Sequence, residues 1–322
     1  MTAVVSFSPF HKTCPPRAAP ALAPAGNELQ KTRIMKTRLP FTKESRVRPA
    51  ALGLALIASA SLAWAADYEW TFNGGDLSAS LGAGIMSYAD AQTSTLTTFG
   101  TTDGTTVPHI GGVPAQYFHV PQLPSQANGF YVELTATGAN GGGSYVNQYT
   151  FVMDLLVPAP LDWTALLNTA PDNPDSNDAD FYIAGDGSVG IGSYSAAGLF
   201  QANTWNRLAV SVNTAGNMLW FLNGTQVHSR GGGGLDGRWS LYSNADAGPD
   251  IRLLNEGDTS GNYTHEMYVN SLFLTDRAMT DAEIAALGGA QAGGVMVPEP
   301  GTWALLGLGA MAFVAWRRTR KN

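Results

Sequence analysis

The chain has 322 residues, 44% of them hydrophobic and only 13% charged, where a soluble domain ordinarily has about 25% charged. That apolar content supports a packed core and excludes global disorder. Charge is segregated: residues 1–65 hold nine basic and two acidic groups, residues 66–297 hold five Arg, no Lys and 22 acids, and residues 298–322 hold four basic groups and one acid. The acidic, lysine-free middle repels polyanions, so no nucleic-acid partner is expected, and it leaves no lysine for a Schiff base or a P-loop.

In chain order, residues 1–34 form a Pro/Ala-rich leader without periodicity, and Met35 reads as the true start. Residues 35–65 read as an export signal. Lys36, Arg38, Lys43, Arg46 and Arg48 make a basic region, residues 50–64 an uncharged apolar run, and Ala63-Trp64-Ala65 a small-x-small cleavage site. Fifteen apolar residues fall short of the ~20 that a membrane span needs. The single cysteine, Cys14, lies in the leader, so the exported chain is expected to have neither disulfides nor thiolate chemistry.

Residues 66–289 read as one all-β domain, an antiparallel β-sandwich. Turn signals recur at Asn73-Gly74-Gly75, Asp103-Gly104, Gly141 to Gly143, Asp186-Gly187, Asn223-Gly224 and Gly231 to Gly234, with short strand-like runs between them. From Tyr145 to Val157, Tyr149, Phe151, Met153 and Leu155 point one way, and Gln148, Thr150 and Asp154 the other. Leu208, Val210 and Val212 share one face of the next long strand. Met218 to Val227 reads as a hairpin around Asn223-Gly224, a favoured type I′ pair. Met267 to Leu274 is a further apolar strand, and Trp70 to Tyr88 supplies the first strands. Trp205 and Trp220 are expected in the core. One short C-terminal helix is signalled by the capping box Thr280-Asp281-Ala282-Glu283, with Ile284 and Leu287 as its apolar edge and Gly288-Gly289 as its stop.

Several of these runs carry a resemblance. Asn147-Gln148-Tyr149-Thr150-Phe151-Val152-Met153-Asp154, Thr204-Trp205-Asn206-Arg207-Leu208, Leu219-Trp220-Phe221-Leu222-Asn223-Gly224 and the segment from Tyr268 to Ile284 resemble the laminin-G-like jelly rolls of bacterial surface proteins, in the concanavalin A-like lectin/glucanase superfamily. The resemblance implies a two-sheet jelly roll over about 140 residues, from 147 to 287.

Residues 290–296 read as a small-residue linker. Residues 297–322 form a tail in three parts: Val297-Pro298-Glu299-Pro300, sixteen uncharged residues at 301–316, and Arg317, Arg318, Arg320 and Lys321. Sixteen helical residues span ~24 Å of a ~30 Å hydrocarbon core, a short transmembrane segment with its basic end cytoplasmic. This tail resembles the PEP-CTERM sorting signal of Gram-negative bacteria, with Pro298, Glu299, Pro300, Arg317 and Arg318 as its marks. The resemblance implies export, a transient stay in the inner membrane, cleavage by an exosortase near Pro-Glu-Pro, and delivery to the cell surface or extracellular matrix. Exosortase and the export machinery are the partners it implies.

The acidic loop 171–180 places Asp172, Asp175, Asp178 and Asp180 together with two Asn, a donor set suited to a hard cation, so Ca²⁺ is the expected cofactor. Trp163, Tyr194, Trp239 and Tyr242 lie near turns and are the candidate aromatic platform for a carbohydrate or protein ligand. A glucanase of this superfamily would need paired carboxylates on one strand face, such as Glu-x-Asp-x-Glu. No such run exists, and no residue marks a groove carboxyl of raised pKa. No enzymatic activity is therefore expected. His109, His119, His228 and His265 lack metal-ligand spacing and read as loop histidines. The expected function is a non-catalytic carbohydrate- or protein-binding domain at the cell surface. A structural matrix component without a specific ligand is the second reading, and a glycan-cleaving enzyme the third.

Overall fold

A computed structural model describes residues 67–125, 127–134, 138–169, 181–241, 251–255 and 263–295. All of them fall in the compact unit Leu62–Asn322. The export signal, the acidic loop 171–180, Tyr242 and the tail from 297 lie outside the described residues.

The elements in order are β1 (Asp67–Trp70), β2 (Ile85–Tyr88), α1 (Ala91–Leu96), β3 (Thr98–Thr101), β4 (Gln116–Val120), β5 (Phe130–Glu133), β6 (Gln148–Leu156), β7 (Thr164–Asn168), β8 (Phe181–Ile183), β9 (Val189–Ile191), β10 (Ser193–Tyr194), β11 (Asn206–Asn213), β12 (Asn217–Leu222), β13 (Thr225–Gly231), β14 (Ile251–Leu253), β15 (Met267–Thr275) and α2 (Asp281–Leu287). Sheet I has the order β13-β12-β11-β6-β15-β4-β3, and sheet II the order β10-β9-β8-β7-β14-β5-β2. Every pairing between named strands is antiparallel. One edge of β15 pairs with β6. Its other edge is shared, with β4 on its first half and β1 on its second.

Period-two alternation decides what enters the space between the sheets. Tyr149, Phe151, Met153 and Leu155 of β6, and Leu208, Val210 and Val212 of β11, lie in the main core. They meet the inner face of sheet II, where Phe181 packs against Phe151 and edge-on against Trp220, each at 6.1 Å between ring centroids. The hairpin between β12 and β13 turns on Asn223 and Gly224 with φ of 50° and 79°, as a type I′ turn requires. Trp220 and Trp205 are both buried.

The outward residues of β6 and β11 are buried too, which alternation alone does not announce. A third layer covers that face of sheet I. Val152, Ala209, Phe221 and Phe273 of the sheet form a second core with Met279, Ile284, Leu287 and Val295. Thr280 caps α2 and Glu283 reaches back to complete the box. Arg277 reinforces it with a 2.7 Å bond to Glu283. The helix stops at Gly288 with φ 63° and ψ −144°, a positive-φ turn outside the left-handed helical region that glycine accommodates. The chain then runs back over the sheet as far as Val295, so residues 290–295 are packed against the domain.

The few cations of this acidic domain are used in packing. Arg207 is paired with Asp154 and Arg277 with Glu283. Arg230 lies over the Trp239 ring at 4.3 Å, and Arg252 lies 5.4 Å from the Tyr131 ring centre.

Candidate ligand-binding site

Strand register builds an aromatic row on one face of sheet II, the face opposite Phe181. Tyr194 of β10 stands opposite Gly190 of β9, Gly190 opposite Tyr182 of β8, and Tyr182 opposite Ala165 of β7. Residues directly opposed across a sheet share a face. Gly190, at φ 156°, keeps the row open between its two tyrosines. A Cβ there would fall 2.2 Å from Ser193 O and 2.9 Å from Tyr194 Cα.

Trp163, just before β7, lies over this row. Its ring is edge-on to Tyr194 at 5.4 Å and to Tyr182 at 5.9 Å, with Tyr263 at 6.5 Å. Tyr182 and Tyr263 also meet edge to face at 6.0 Å. Each edge-to-face contact contributes about 0.5–1.5 kcal/mol beyond its buried area, so the four rings fix one another. Trp163 nevertheless remains 40% exposed. Its backbone N–H donates to Asp162 Oδ1 at 2.7 Å. The Thr164 hydroxyl donates to Asp162 O at 3.0 Å, and His265 Nε2 lies 2.9 Å from Pro160 O. The result is an exposed indole held in place, with a carboxylate beside it.

Next to Tyr194, Ser193 Oγ lies 3.1 Å from His228 Nε2. Burial, then the charge of Arg230, holds the His228 pKa below its ordinary value, which keeps the ring neutral in neutral solution.

Of the four aromatic residues singled out by sequence, the structure brings Trp163 and Tyr194 together. Trp239 does not join them. It is 9% exposed, one ring face is covered by Arg230, and its backbone carbonyl accepts from Tyr149 OH at 2.9 Å. A ring so enclosed presents no platform. Tyr242 lies outside the described residues, as do Asp172, Asp175, Asp178 and Asp180. Among the described residues no group of three or more metal-ligating side chains occurs. Sequence reading missed Tyr182 and Tyr263. Tyr182 is a buried residue of an apolar strand, 4% exposed, and only its register with Tyr194 puts it beside Trp163.

The histidines are not all in loops. His119 lies in β4, donating from Nε2 to Glu266 Oε1 at 2.9 Å and stacked on Tyr268 at 4.5 Å, and His228 lies in β13.

Among the described residues, one carboxyl has the raised pKa that glycoside cleavage would require. Glu69 is pushed up to about 7, first by burial and then by the Asp154 charge. It does not face an open groove, because the chain at Gly294 lies against it. A Cβ at that glycine would stand 2.6 Å from Glu69 Oε1. Among the described residues, one open cleft measures about 400 Å³ and another about 490 Å³. The first is lined by Pro108, His109, Trp205 and Asn223 among others, the second by residues of the 77–86 segment, and neither is lined by an Asp or Glu.

The PEP-CTERM protein-sorting motif matches residues 297–321. The chain therefore carries a signal for exosortase-dependent export and processing at the membrane. Among the described residues no helix is long and apolar enough to cross a membrane, and the apolar run 301–316 lies outside them. No curated protein matches the chain.

Solved β-sandwich structures do. The botulinum neurotoxin serotype G binding domain shares 14% identity over 69% of this chain and 50% of its own, with a TM-score of 0.43. Domain 4 of AbnA, a GH43 extracellular arabinanase from Geobacillus stearothermophilus, solved with arabinotriose, shares 17% over 70% of this chain and 98% of its own, with a TM-score of 0.41. The CBM40 of the Ruminococcus gnavus IT-sialidase, bound to α2,3 sialyllactose, shares 15% over 45% of this chain and 83% of its own, with a TM-score of 0.35. The chain spans about half the length of the two neurotoxin binding-domain structures it matches. These are distant likenesses. The two-sheet antiparallel sandwich rests on the strand pairings, and the laminin-G-like likeness remains one of sequence.

Proposed function

We propose that the chain is an exported surface protein whose β-sandwich is a non-catalytic binding domain, with the Trp163 cluster as its ligand-binding face and carbohydrate as its ligand class. One observation carries the reading. Trp163 is 40% exposed while its ring is held by Tyr182, Tyr194 and Tyr263. Leaving a large indole in water forgoes burial free energy of about 25 cal/mol per Å². A pre-ordered aromatic face recovers that on covering the apolar face of a sugar ring, and its order keeps the entropic cost of binding low. The Asp162 carboxylate beside it can accept sugar hydroxyls.

The sorting motif supports delivery of this domain to the cell surface or matrix, and the sequence resemblance supports a laminin-G-like jelly roll. The test is a glycan array and a matrix pull-down with the wild-type chain and Trp163→Ala. Retention by a glycan, with at least tenfold weaker retention of the variant, is expected. Equal retention of the two would overturn the site, and no retention of either would leave the structural-component reading in its place. Intact mass of the exported protein, trimmed near Ala65 and Pro300, checks the sorting reading separately.

A further inference from the structure

The path of residues 288–295 over sheet I is set by four side chains from four strands. Asp154 of β6 accepts from Gln291 N at 3.1 Å. Arg207 of β11 donates to Leu287 O at 2.7 Å and Gly294 O at 3.1 Å, while both its Nε and Nη2 bond the Asp154 carboxylate at 2.6 Å. Asn270 of β15 donates to Ala292 O at 3.4 Å. Glu69 of β1 lies against this segment: a Cβ at Gly294 would stand 2.6 Å from its Oε1, and Val295 itself is 1% exposed in the second core. The sorting motif begins at residue 297.

We propose that residues 288–295 are a docked strap, and that their release from the clamp of Glu69, Asp154 and Arg207 controls how fast the sorting tail is removed. The inference rests on the sorting reading above. Pro298 follows Val295 by three residues, a reach of at most ~10 Å. A peptidase that holds its substrate extended pairs with main-chain N–H and C=O groups on either side of the cut. On the N-terminal side those groups are already engaged: Gln291 N, Ala292 O and Gly294 O all bond to side chains of sheet I. The enzyme and the sheet therefore compete for one stretch of backbone.

The strap is suited to letting go. Four of its eight residues are glycine and none is charged, so docking costs much backbone entropy. What holds it comes almost wholly from the sheet beneath.

The strap can be loosened without touching the sandwich. At Gly294, φ is 98° and a Cβ would meet Glu69 Oε1 at 2.6 Å, so Gly294→Ala should lift the segment. Glu69→Gln keeps the size of the side chain beneath the segment and removes the charge that burial disfavours, so it should hold the segment down. Two measurements are made on the full chain. One is hydrogen exchange of residues 288–295 in the purified protein. The other is the rate of tail loss in exporting cells, followed by intact mass.

Gly294→Ala is expected to raise exchange in the strap and to speed tail loss about tenfold, the factor for one lost contact of this kind. Glu69→Gln is expected to lower both. Faster exchange with unchanged or slower tail loss would overturn the proposal. A wild-type tail that exporting cells never cut would sink the sorting reading, whereas a cut tail whose rate ignores both variants would sink this inference alone.

Discussion

Glu69 gives the sharpest quantitative expectation. Its carboxyl is raised from 4.5 to about 7, chiefly by burial, with Asp154 raising it further and Val295 N and Arg207 opposing. The charged groups that set it are Asp154 and Arg207. The strap above it brings none, since residues 288–295 are uncharged. At 1.36 kcal/mol per pKa unit this is ~3 kcal/mol of preference for the protonated form, reduced to ~2 kcal/mol because the residue is only half-buried.

The direction follows from linkage. Below about pH 4.5 the group is protonated in both folded and unfolded chains, and its contribution is intact. Between about 4.5 and 7 the unfolded chain ionises first, so stability falls as pH rises. Above about 7 both states are ionised and the whole contribution is gone. Glu69→Gln has no such dependence. Urea unfolding of the two proteins at about pH 5 and about pH 8 should show the variant gaining ~2 kcal/mol over wild type across that range. Curves for the two proteins that stay parallel would refute the reasoning.

Other expectations follow from the same geometry. Arg207→Ala leaves Asp154, 0% exposed, as an unpaired buried charge and should cost about 3–5 kcal/mol by urea unfolding; a loss under about 1 kcal/mol would mean the pair is hydrated in solution. Gly190→Ala drives a Cβ to 2.2 Å from Ser193 O at φ 156°, so a loss of about 2 kcal/mol or more is expected in thermal unfolding, and a variant as stable as wild type would show that β9 and β10 separate easily. Trp163→Ala should weaken glycan retention and, by losing three ring contacts of about 0.5–1.5 kcal/mol each, should also lower the melting temperature; a destabilised variant that retains glycan as well as wild type would identify Trp163 as a packing residue instead.

Much of the fold was legible because it is written in local pattern. The alternation through β6 and β11, the Asn223-Gly224 turn and the Thr280/Glu283 capping box depend on residues within a few positions of one another. The segment before residue 146 was less legible. β3, β4 and β5 are four or five residues long, too short to establish a period.

The candidate site was half legible. Trp163 and Tyr194 stand near turns and were found. Tyr182 and Tyr263 were not, because an apolar strand containing Tyr reads the same whichever face the ring takes. Trp239 satisfied the same turn-proximity signal as Trp163, yet Arg230 covers it. Residues 290–296 read as a linker because a run of mostly small, uncharged residues carries no periodicity at all.

By itself, then, the sequence determined the sorting tail, the antiparallel all-β character and the positions of the turns, and it carries the expectation of an export signal at the other end. These follow from composition and short-range stereochemistry, which act along the chain. Only the tertiary structure decided which aromatic rings meet, where the scarce arginines are used, and that residues 288–295 lie on sheet I. Those depend on register between strands far apart in sequence, as with Glu69, Asp154, Arg207 and Gly294, whose chemistry appears only when the sheet sets them side by side.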